Sequence, residues 1–372
     1  MRIGVPTEIK ANEYRVGLTP GSVRELHAHG HAVLVQRGAG AGIGAADERY
    51  REAGATLVDT AAEVFAGADL IVKVKEPQPV ELAMLEARHV LFTYLHLAAD
   101  AALARGLAAI GCTGIAYETV GADDGSLPLL APMSEVAGRL SIQAGARCLE
   151  HDVGGAGLLL GGVPGVAAAE VLILGGGVVG ANAVQMALGV QARVTVIDKS
   201  LPRLRALEAQ FGGQLNTVHA TQESIGHYLR QADLVIGAVL VPGAAAPKLV
   251  TRAMLATMKP GSAIVDVAID QGGCVETSRP TTHANPTFIV DGVVHYCVTN
   301  MPGVVPRTSA YALNNATLPF VLQLADHGPR AALAADPHLR QGLNVYAGQI
   351  THPGVAEAIG APCVSVDFSC AA

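Results

Sequence analysis

Two ionisable side chains stand where a charged group would act on a small molecule. Lys75 ends an apolar run just before Pro77, and His96 follows a second apolar run. Ligands of open parallel sheets bind at the carboxyl ends of strands, so both side chains are expected at a binding edge. A histidine there can exchange protons near neutral pH. Lys73 has the same strand parity as Lys75, so the run itself does not choose between the two lysines.

A glycine motif predicts a dinucleotide site. An apolar strand feeds Gly175-x-Gly177-x-x-Gly180, a helical segment follows, and a second strand ends at Asp198. The first glycine allows a tight turn, the second lets a pyrophosphate approach the backbone, and the third lets the helix pack on the sheet. A carboxylate at position 198 can accept hydrogen bonds from ribose hydroxyls and would repel a 2′-phosphate. The pattern therefore favours NAD over NADP.

Two further charged residues are candidates for the same chemistry. Asp270 closes an apolar run in the dinucleotide region and could orient a ribose, a nicotinamide or a water. Arg15 follows a polar segment, and its planar guanidinium suits a carboxylate. Taken singly, each candidate also has an ordinary structural reading. These are a solvated lysine pair, a structural histidine, an aspartate that caps the loop before Gly272-Gly273, and a surface arginine.

Composition excludes several classes of function. Of the 372 residues, 50% are hydrophobic and 15% are charged, so the chain can bury a large core. The net charge of −7 and the lack of a basic stripe argue against nucleic-acid binding. The uncharged stretch between Asp152 and Glu170 is rich in glycine, which favours a loop and a buried strand over a membrane span. The charged N-terminus argues against a secretory signal. Six scattered cysteines favour reduced thiols in the cytoplasm and no metal site.

Alternating helices and strands predict an α/β fold of two domains. The predicted strands lie at residues 32–36, 69–74, 90–93, 109–117, 170–174, 193–198, 233–238, 263–268 and 288–290. The predicted helices include residues 21–29, 48–53, 79–85, 134–150, 181–188 and 308–325. Buried runs separated by helices predict two Rossmann-like, doubly wound parallel sheets with a cleft between them. A discontinuous substrate domain would comprise residues 1–128 and 306–372, and a dinucleotide-binding domain residues 129–305.

The motifs together resemble one family. Three N-terminal segments resemble the first signature shared by alanine dehydrogenases and the α subunit of nicotinamide nucleotide transhydrogenase. They are Gly4-Val5-Pro6-Thr7-Glu8, Asn12-Glu13-Tyr14-Arg15-Val16 and Thr19-Pro20. The glycine motif through Asp198 resembles the second signature. Three further stretches of this chain resemble alanine dehydrogenase itself: Val74-Lys75-Glu76-Pro77, Tyr94-Leu95-His96-Leu97-Ala98 and Val298-Thr299-Asn300-Met301-Pro302-Gly303. The resemblance is collinear from residue 1 to about residue 350.

The resemblance implies a role for each candidate. Arg15 and Lys75 would bind the substrate carboxylate, and Lys75 would also polarise the reacting carbonyl. His96 would donate and accept the proton, and Asp270 would position water and the amino group near the nicotinamide. The walls of a methyl-sized pocket would be Tyr94, Met133 and Met301. The NAD site would be lined by Ser134, Gly175, Gly177, Val178, Val179, Gly180, Asp198, Arg203, Val239, Leu240, Val267, Ala268, Ile269, Asp270, Arg279, Val298, Thr299, Asn300 and Met301.

The implied activity is the reversible, NAD-dependent oxidative deamination of L-alanine to pyruvate and ammonia, through an iminium and a carbinolamine, in a homohexamer. A transhydrogenase α-type subunit, which passes its hydride to a nucleotide on a membrane partner, shares both signatures but needs no substrate acid and base. His96 and Asp270 therefore favour the dehydrogenase. Saccharopine dehydrogenase is a more distant relative with a larger substrate. A non-enzymatic NAD-binding module is disfavoured because Lys75 and His96 are both present.

Overall fold

The computed structural model describes residues 1–239 and 246–368, and these form two compact units. The first unit comprises Met1–Met133 and Gly303–Ala372, so it is discontinuous, and the second comprises Ser134–Pro302. Within the described residues, no helix is long and apolar enough to cross a membrane.

The N-terminal segment of the first unit alternates strands and helices. Its elements are β1 (Arg2–Val5), α1 (Pro20–Ala28), β2 (Ala32–Gln36), α2 (Asp47–Glu52), β3 (Thr56–Val58), α3 (Ala61–Gly67), β4 (Leu70–Val72), α4 (Pro79–Leu82), β5 (Val90–Thr93), α5 (Ala101–Ile110) and β6 (Thr113–Ala116). Local signals set the helix starts: the Thr19 side chain caps α1, and Thr60 and Glu63 form a capping box on α3.

The second unit repeats the same alternation. Its elements are α6 (Ala131–Cys148), which begins just before the unit, β7 (Glu170–Leu174), α7 (Val178–Gly189), β8 (Arg193–Asp198), α8 (Leu201–Phe211), β9 (Leu215–His219), α9 (Gln222–Leu229), β10 (Leu234–Gly237), α10 (Arg252–Leu255), β11 (Ala263–Asp266), β12 (Thr287–Val290) and β13 (Val293–Tyr296). Its sheet has the order β12-β13-β11-β10-β7-β8-β9. All neighbours are parallel except β12 and β13, which form an antiparallel hairpin at one edge.

The C-terminal segment returns to the first unit. Its elements are α11 (Pro306–His327), α12 (Pro329–Ala335), α13 (Pro337–Gln341), β14 (Leu343–Tyr346), β15 (Gln349–Ile350) and α14 (Pro353–Ile359). Helix α11 is joined to the N-terminal segment by Asn314, whose Oδ1 accepts from the Thr19 backbone N–H (2.8 Å) and whose Nδ2 donates to the Gly17 carbonyl (3.1 Å). Strands from both segments form one sheet, β15-β14-β6-β5-β4-β1-β2-β3, in which β14 and β15 are antiparallel to their neighbours.

Most predicted strands are present, but the strand predicted at residues 109–117 is wrong over its first residues. Residues 109–117 were expected to form a strand, but helix α5 continues to Ile110 and β6 begins at Thr113. Gly111, with a φ of +78°, ends the helix between them, so the apolar run belongs to two elements. The sheets are also not wholly parallel, because each has an antiparallel edge: the predicted strand β12 pairs with β13, and β14 pairs with β6 and β15. The strands β13, β14 and β15 were not predicted.

Candidate active site

The two lysines after β4 have different environments. The Lys73 side chain is fully buried, and its Nζ lies 3.1 Å from Glu8 Oε2 and 2.8 Å from Glu81 Oε1. Burial opposes its charge, but the two carboxylates outweigh that effect and raise the pKa of Lys73. Lys75 is only partly buried, and burial together with the positive charge of Arg15 lowers the pKa of Lys75. Lys73 is therefore a structural ion, and Lys75 remains the candidate for the predicted substrate site.

A buried carboxylate holds the chain that carries Lys75. Oε1 of Glu8 accepts from the backbone N–H of Val74 (2.6 Å) and more weakly from that of Lys75 (3.4 Å). On the other side, Thr93 Oγ1 donates to the Lys75 carbonyl (3.0 Å). Backbone pairing also continues past β4, from the Tyr94 N–H to the Val74 carbonyl (3.3 Å), so the backbone at Lys75 is held although it lies beyond the strand.

Arg15 lies in the same cluster and is only 2% exposed. Its guanidinium forms a two-point pair with Glu13, from Nε to Oε1 (2.7 Å) and from Nη2 to Oε2 (2.5 Å). Its Nη1 donates to Met133 Sδ at 3.0 Å, and its charge acts on both Lys75 and Tyr94. Burial raises the pKa of the Tyr94 phenol, which stays neutral and donates to the Leu129 carbonyl (2.6 Å).

His96 lies beside this cluster in an unusual backbone conformation. Its φ is +51°, in the left-handed region, and its N–H donates to Glu118 Oε1 at 2.6 Å. The imidazole is 47% exposed, its ring centroid lies 5.8 Å from that of Tyr94, and its Nδ1 lies 4.0 Å from Glu76 Oε2. A bulky residue held at positive φ signals strain that the surrounding contacts must support. The first unit thus brings together Arg15, Lys75, Tyr94, His96 and Met133.

The glycine loop of the second unit has the geometry that the motif predicts. Gly175 has a φ of +100°, and a Cβ there would lie 2.6 Å from the Ala238 carbonyl oxygen. A Cβ on Gly180 would lie 1.9 Å from the Gly175 carbonyl oxygen, so that glycine is required for packing. A Cβ on Gly177, by contrast, would meet no atom within 4 Å. The described residues leave this space open.

The open space lies at the start of a helix that lacks a side-chain cap. Helix α7 has 12 residues, and its N-cap is Gly177, which has no side chain to accept from the first N–H groups. The start of such a helix attracts an anion, both through those donors and through the helix dipole. The loop therefore fits the pyrophosphate of a dinucleotide. Ser134 lies one turn before Gly138 in α6, and Gly138 packs on the carbonyl of Val179 in α7.

Asp198 stands at the end of β8 beside this loop. Its Oδ2 accepts from the Gly176 N–H (2.6 Å) and its Oδ1 from the Ser200 N–H (2.7 Å). Each carboxylate oxygen can accept a further hydrogen bond, so the group remains suited to ribose hydroxyls. Arg203 Nε donates to the Gly176 carbonyl, which places the guanidinium stem against the loop.

Other expected cofactor residues follow neighbouring strands. Val239 lies after β10 and approaches Gly175, while Val267–Gln271 form a short 3₁₀ turn after β11 in which Asp270 is exposed. That turn is anchored by Asp266, a buried carboxylate that accepts from the backbone N–H of Cys274 (3.0 Å) and from Ser278 Oγ (2.6 Å). Leu240 lies outside the described residues.

The remaining expected residues lie towards the hairpin edge of the second sheet. Thr299 donates from its N–H to the Thr281 carbonyl, and Met301 is buried. Arg279 is exposed, and its guanidinium carbon lies 4.4 Å from the centre of the Phe288 ring in β12. The roles of Val298, Thr299, Asn300, Met301 and Arg279 towards a cofactor stay predictions.

Sequence reasoning missed the carboxylates that position the site. Glu8, Glu13, Glu76 and Glu118 each contact a backbone or side chain of the candidate cluster. Glu8, Glu13 and Glu76 lie inside the motifs quoted above. Because charged residues are few in this chain, carboxylates within those motifs were the available sign that they help to form the candidate site. Glu118 is 22 residues from His96, and no local pattern joins the two.

Comparison with known proteins agrees with this geometry. Two family models match: "Alanine dehydrogenase/PNT, N-terminal domain" over residues 4–137 and "Alanine dehydrogenase/PNT, C-terminal domain" over residues 141–353. The chain is 60% identical to an alanine dehydrogenase from Halomonas elongata, over 97% of both chains. It is 53% identical to one from Mycobacterium tuberculosis, over 97% of this chain and 98% of the relative.

Solved structures give the same result. A structure titled L-alanine dehydrogenase matches with a TM-score of 0.94 and 52% identity, over 97% of this chain and 99% of that chain. A transhydrogenase from Sinorhizobium meliloti matches with a TM-score of 0.84 and 24% identity, over 94% of this chain and 100% of that chain. At that identity the second match concerns the fold alone.

Proposed function

The chain belongs to the alanine dehydrogenase/PNT family of oxidoreductases, and from this premise we propose that it catalyses the reversible, NAD-dependent oxidative deamination of L-alanine to pyruvate and ammonia. One observation carries the proposal beyond the family. Arg15, a partly buried Lys75 with a lowered pKa, and the exposed imidazole of His96 form one cluster. A nicotinamide-binding protein that acts on no small substrate would not need this cluster.

The residues of the first unit supply binding and proton transfer. Arg15 and Lys75 hold the substrate carboxylate, and Lys75 polarises the carbonyl oxygen of pyruvate in the reverse direction. Met133 and Tyr94 line the space for the methyl group. His96 takes a proton from the water that adds to the iminium carbon and returns it when the carbinolamine collapses to pyruvate and ammonia.

The second unit would hold the cofactor. The first N–H groups of α7 bind the pyrophosphate, and the carboxylate of Asp198 binds the ribose hydroxyls. When bound, NAD accepts the hydride from the substrate α-carbon. Asp270, exposed at the end of the turn after β11, orients the amino group and water.

The proposed setting is the cytoplasm, with a homohexamer as the working assembly. The five described cysteines are free thiols, which is consistent with a reducing compartment. Light scattering coupled to size-exclusion chromatography measures the assembly, and any mass other than that of six chains contradicts the hexamer.

The activity is tested by NADH absorbance with purified protein, NAD and one amino acid at a time. We expect L-alanine to give the fastest turnover and the His96→Asn variant to lose about 10²–10⁴-fold in kcat, the usual range for a lost general acid–base group. The transhydrogenase alternative predicts no NADH from alanine. Absence of turnover with every small amino acid contradicts the proposal.

A further inference from the structure

Glu76 has one carboxylate oxygen that makes no hydrogen bond with any of the described residues. Its Oε1 pairs with the ammonium group of Lys10, whereas Oε2 is buried and makes no hydrogen bond. The side chain is only 15% exposed. Buried polar atoms are nearly always hydrogen-bonded, so an acceptor held in this way needs an explanation. The reactions assigned above to Arg15, Lys75 and His96 do not use Glu76.

The unpartnered oxygen faces the imidazole of His96. The distance from Oε2 to Nδ1 is 4.0 Å, which is about 1 Å longer than a hydrogen bond. The backbone at His96 is held by its N–H bond to Glu118, and the ring is half-exposed. A shift of about 1 Å between Oε2 and Nδ1 would bring the two atoms to hydrogen-bond distance.

We propose that Glu76 is the positioning residue of His96: its Oε2 accepts the hydrogen on Nδ1, which leaves Nε2 as the nitrogen that exchanges the proton. The inference deepens the proposed function and rests on it. The Nε2 lone pair forms the new N–H bond as the O–H bond of the attacking water breaks, and the Nδ1 hydrogen stays on the imidazolium. The carboxylate of Glu76 stabilises that cation.

Several charged groups surround the imidazole. Glu118 accepts from the backbone N–H groups of Leu95 and His96, so its carboxylate is held against the main chain. Lys10 partly offsets the charge of Glu76, and Lys75 adds a positive charge near the same carboxylate. Arg15 acts on Lys75 and Tyr94 from the other side of the cluster. Among the contacts of the described residues, the carboxylate within 4.0 Å of a His96 ring nitrogen is that of Glu76.

The test measures the imidazole directly, because loss of Glu76 also changes Lys75 and would confuse an activity assay. Diethylpyrocarbonate reacts with the neutral form of an imidazole and not with the protonated form. The modification rate at His96 in the full chain, followed against pH by peptide mass spectrometry, therefore reports its titration. In Glu76→Gln the midpoint should fall by about 0.5 to 1 pH unit relative to the unchanged chain. His227, whose ring contacts Gln231, is the internal reference and should not move.

A fall of at least about 0.3 pH units at His96 alone supports the pairing, and a smaller fall or a rise overturns it. If Glu76→Gln does not fold, Glu76→Asp keeps the charge but withdraws it by one methylene. Its midpoint should then lie below that of the unchanged chain, and an equal or higher midpoint overturns the inference. The measurement needs no turnover, so absence of alanine oxidation contradicts the proposed function without affecting this result.

Discussion

The candidate sites at the strand ends of the two units are formed by different kinds of chemical group. In the first unit the groups are charged side chains, and carboxylates distant in the sequence hold them: Glu8 is 65 residues from Lys73, and Glu118 is 22 residues from His96. In the second unit the groups are mainly backbone N–H donors of consecutive residues, shaped by Gly175, Gly177 and Gly180.

The difference separates two ways in which a site depends on its fold. A buried charge is stable only with a partner, so a substitution in the first unit removes either chemistry or stability, depending on which lysine is changed. A backbone cradle depends on shape, so a substitution in the second unit acts through the space that a Cβ occupies. Matched pairs of variants in each unit should show this contrast.

The largest effect is expected for the two lysines of the first unit. Lys75→Met should lower kcat/KM for alanine by roughly 10³-fold, because the charge that binds and polarises the substrate is lost. Its stability should not fall, since burial already disfavours that charge. Lys73→Met should instead lower the free energy of unfolding by about 3 kcal/mol, because it leaves Glu8 and Glu81 without their cation.

Steady-state kinetics and urea unfolding on both variants check this pair. Comparable stability losses in the two variants, or a fully active Lys75→Met, would show that the assignment of one structural and one chemical lysine is wrong.

The glycine loop provides the second pair. Gly177→Ala should leave the melting temperature unchanged and weaken NAD binding by about tenfold or more, because the methyl group enters the space open to the pyrophosphate. Gly175→Ala should lower the melting temperature even without cofactor, since its φ of +100° and the Ala238 carbonyl both oppose a Cβ. Calorimetry with and without NAD measures both effects. Unchanged NAD affinity in Gly177→Ala would contradict the cofactor site.

The smallest effect concerns pH. Only protonated Lys75 attracts a carboxylate, and its lowered pKa means that this charge is lost at a lower pH than for a lysine in water. Binding of oxamate, an unreactive analogue of pyruvate, should therefore weaken severalfold as pH rises into the alkaline range. In Lys75→Arg the guanidinium stays charged, so the dependence should flatten. Fluorescence titration with NADH present measures the dissociation constants, and equal slopes in both proteins would exclude Lys75 as the titrating group.

Local patterns predicted the parts of the fold whose causes are local. β2, β5, β7 and β8 have the predicted bounds, because each is an apolar run flanked by residues that end a strand. The short antiparallel strands β14 and β15 were missed, since they gain their stability from pairing with β6 and with each other. The segment 109–117 was assigned to a single strand because apolar content alone does not separate a helix end from a strand.

The sequence by itself determined the glycine loop, the position of Asp198 and the family, because the motifs that carry them are runs of adjacent residues and the loop shape depends on local glycines. Only the tertiary structure decided which of Lys73 and Lys75 is neutralised and which stays available, and it alone placed the oxygen of Glu76 beside His96. The physical reason is that the state of a charge depends on burial and on partners in space, and these partners come from distant parts of the chain.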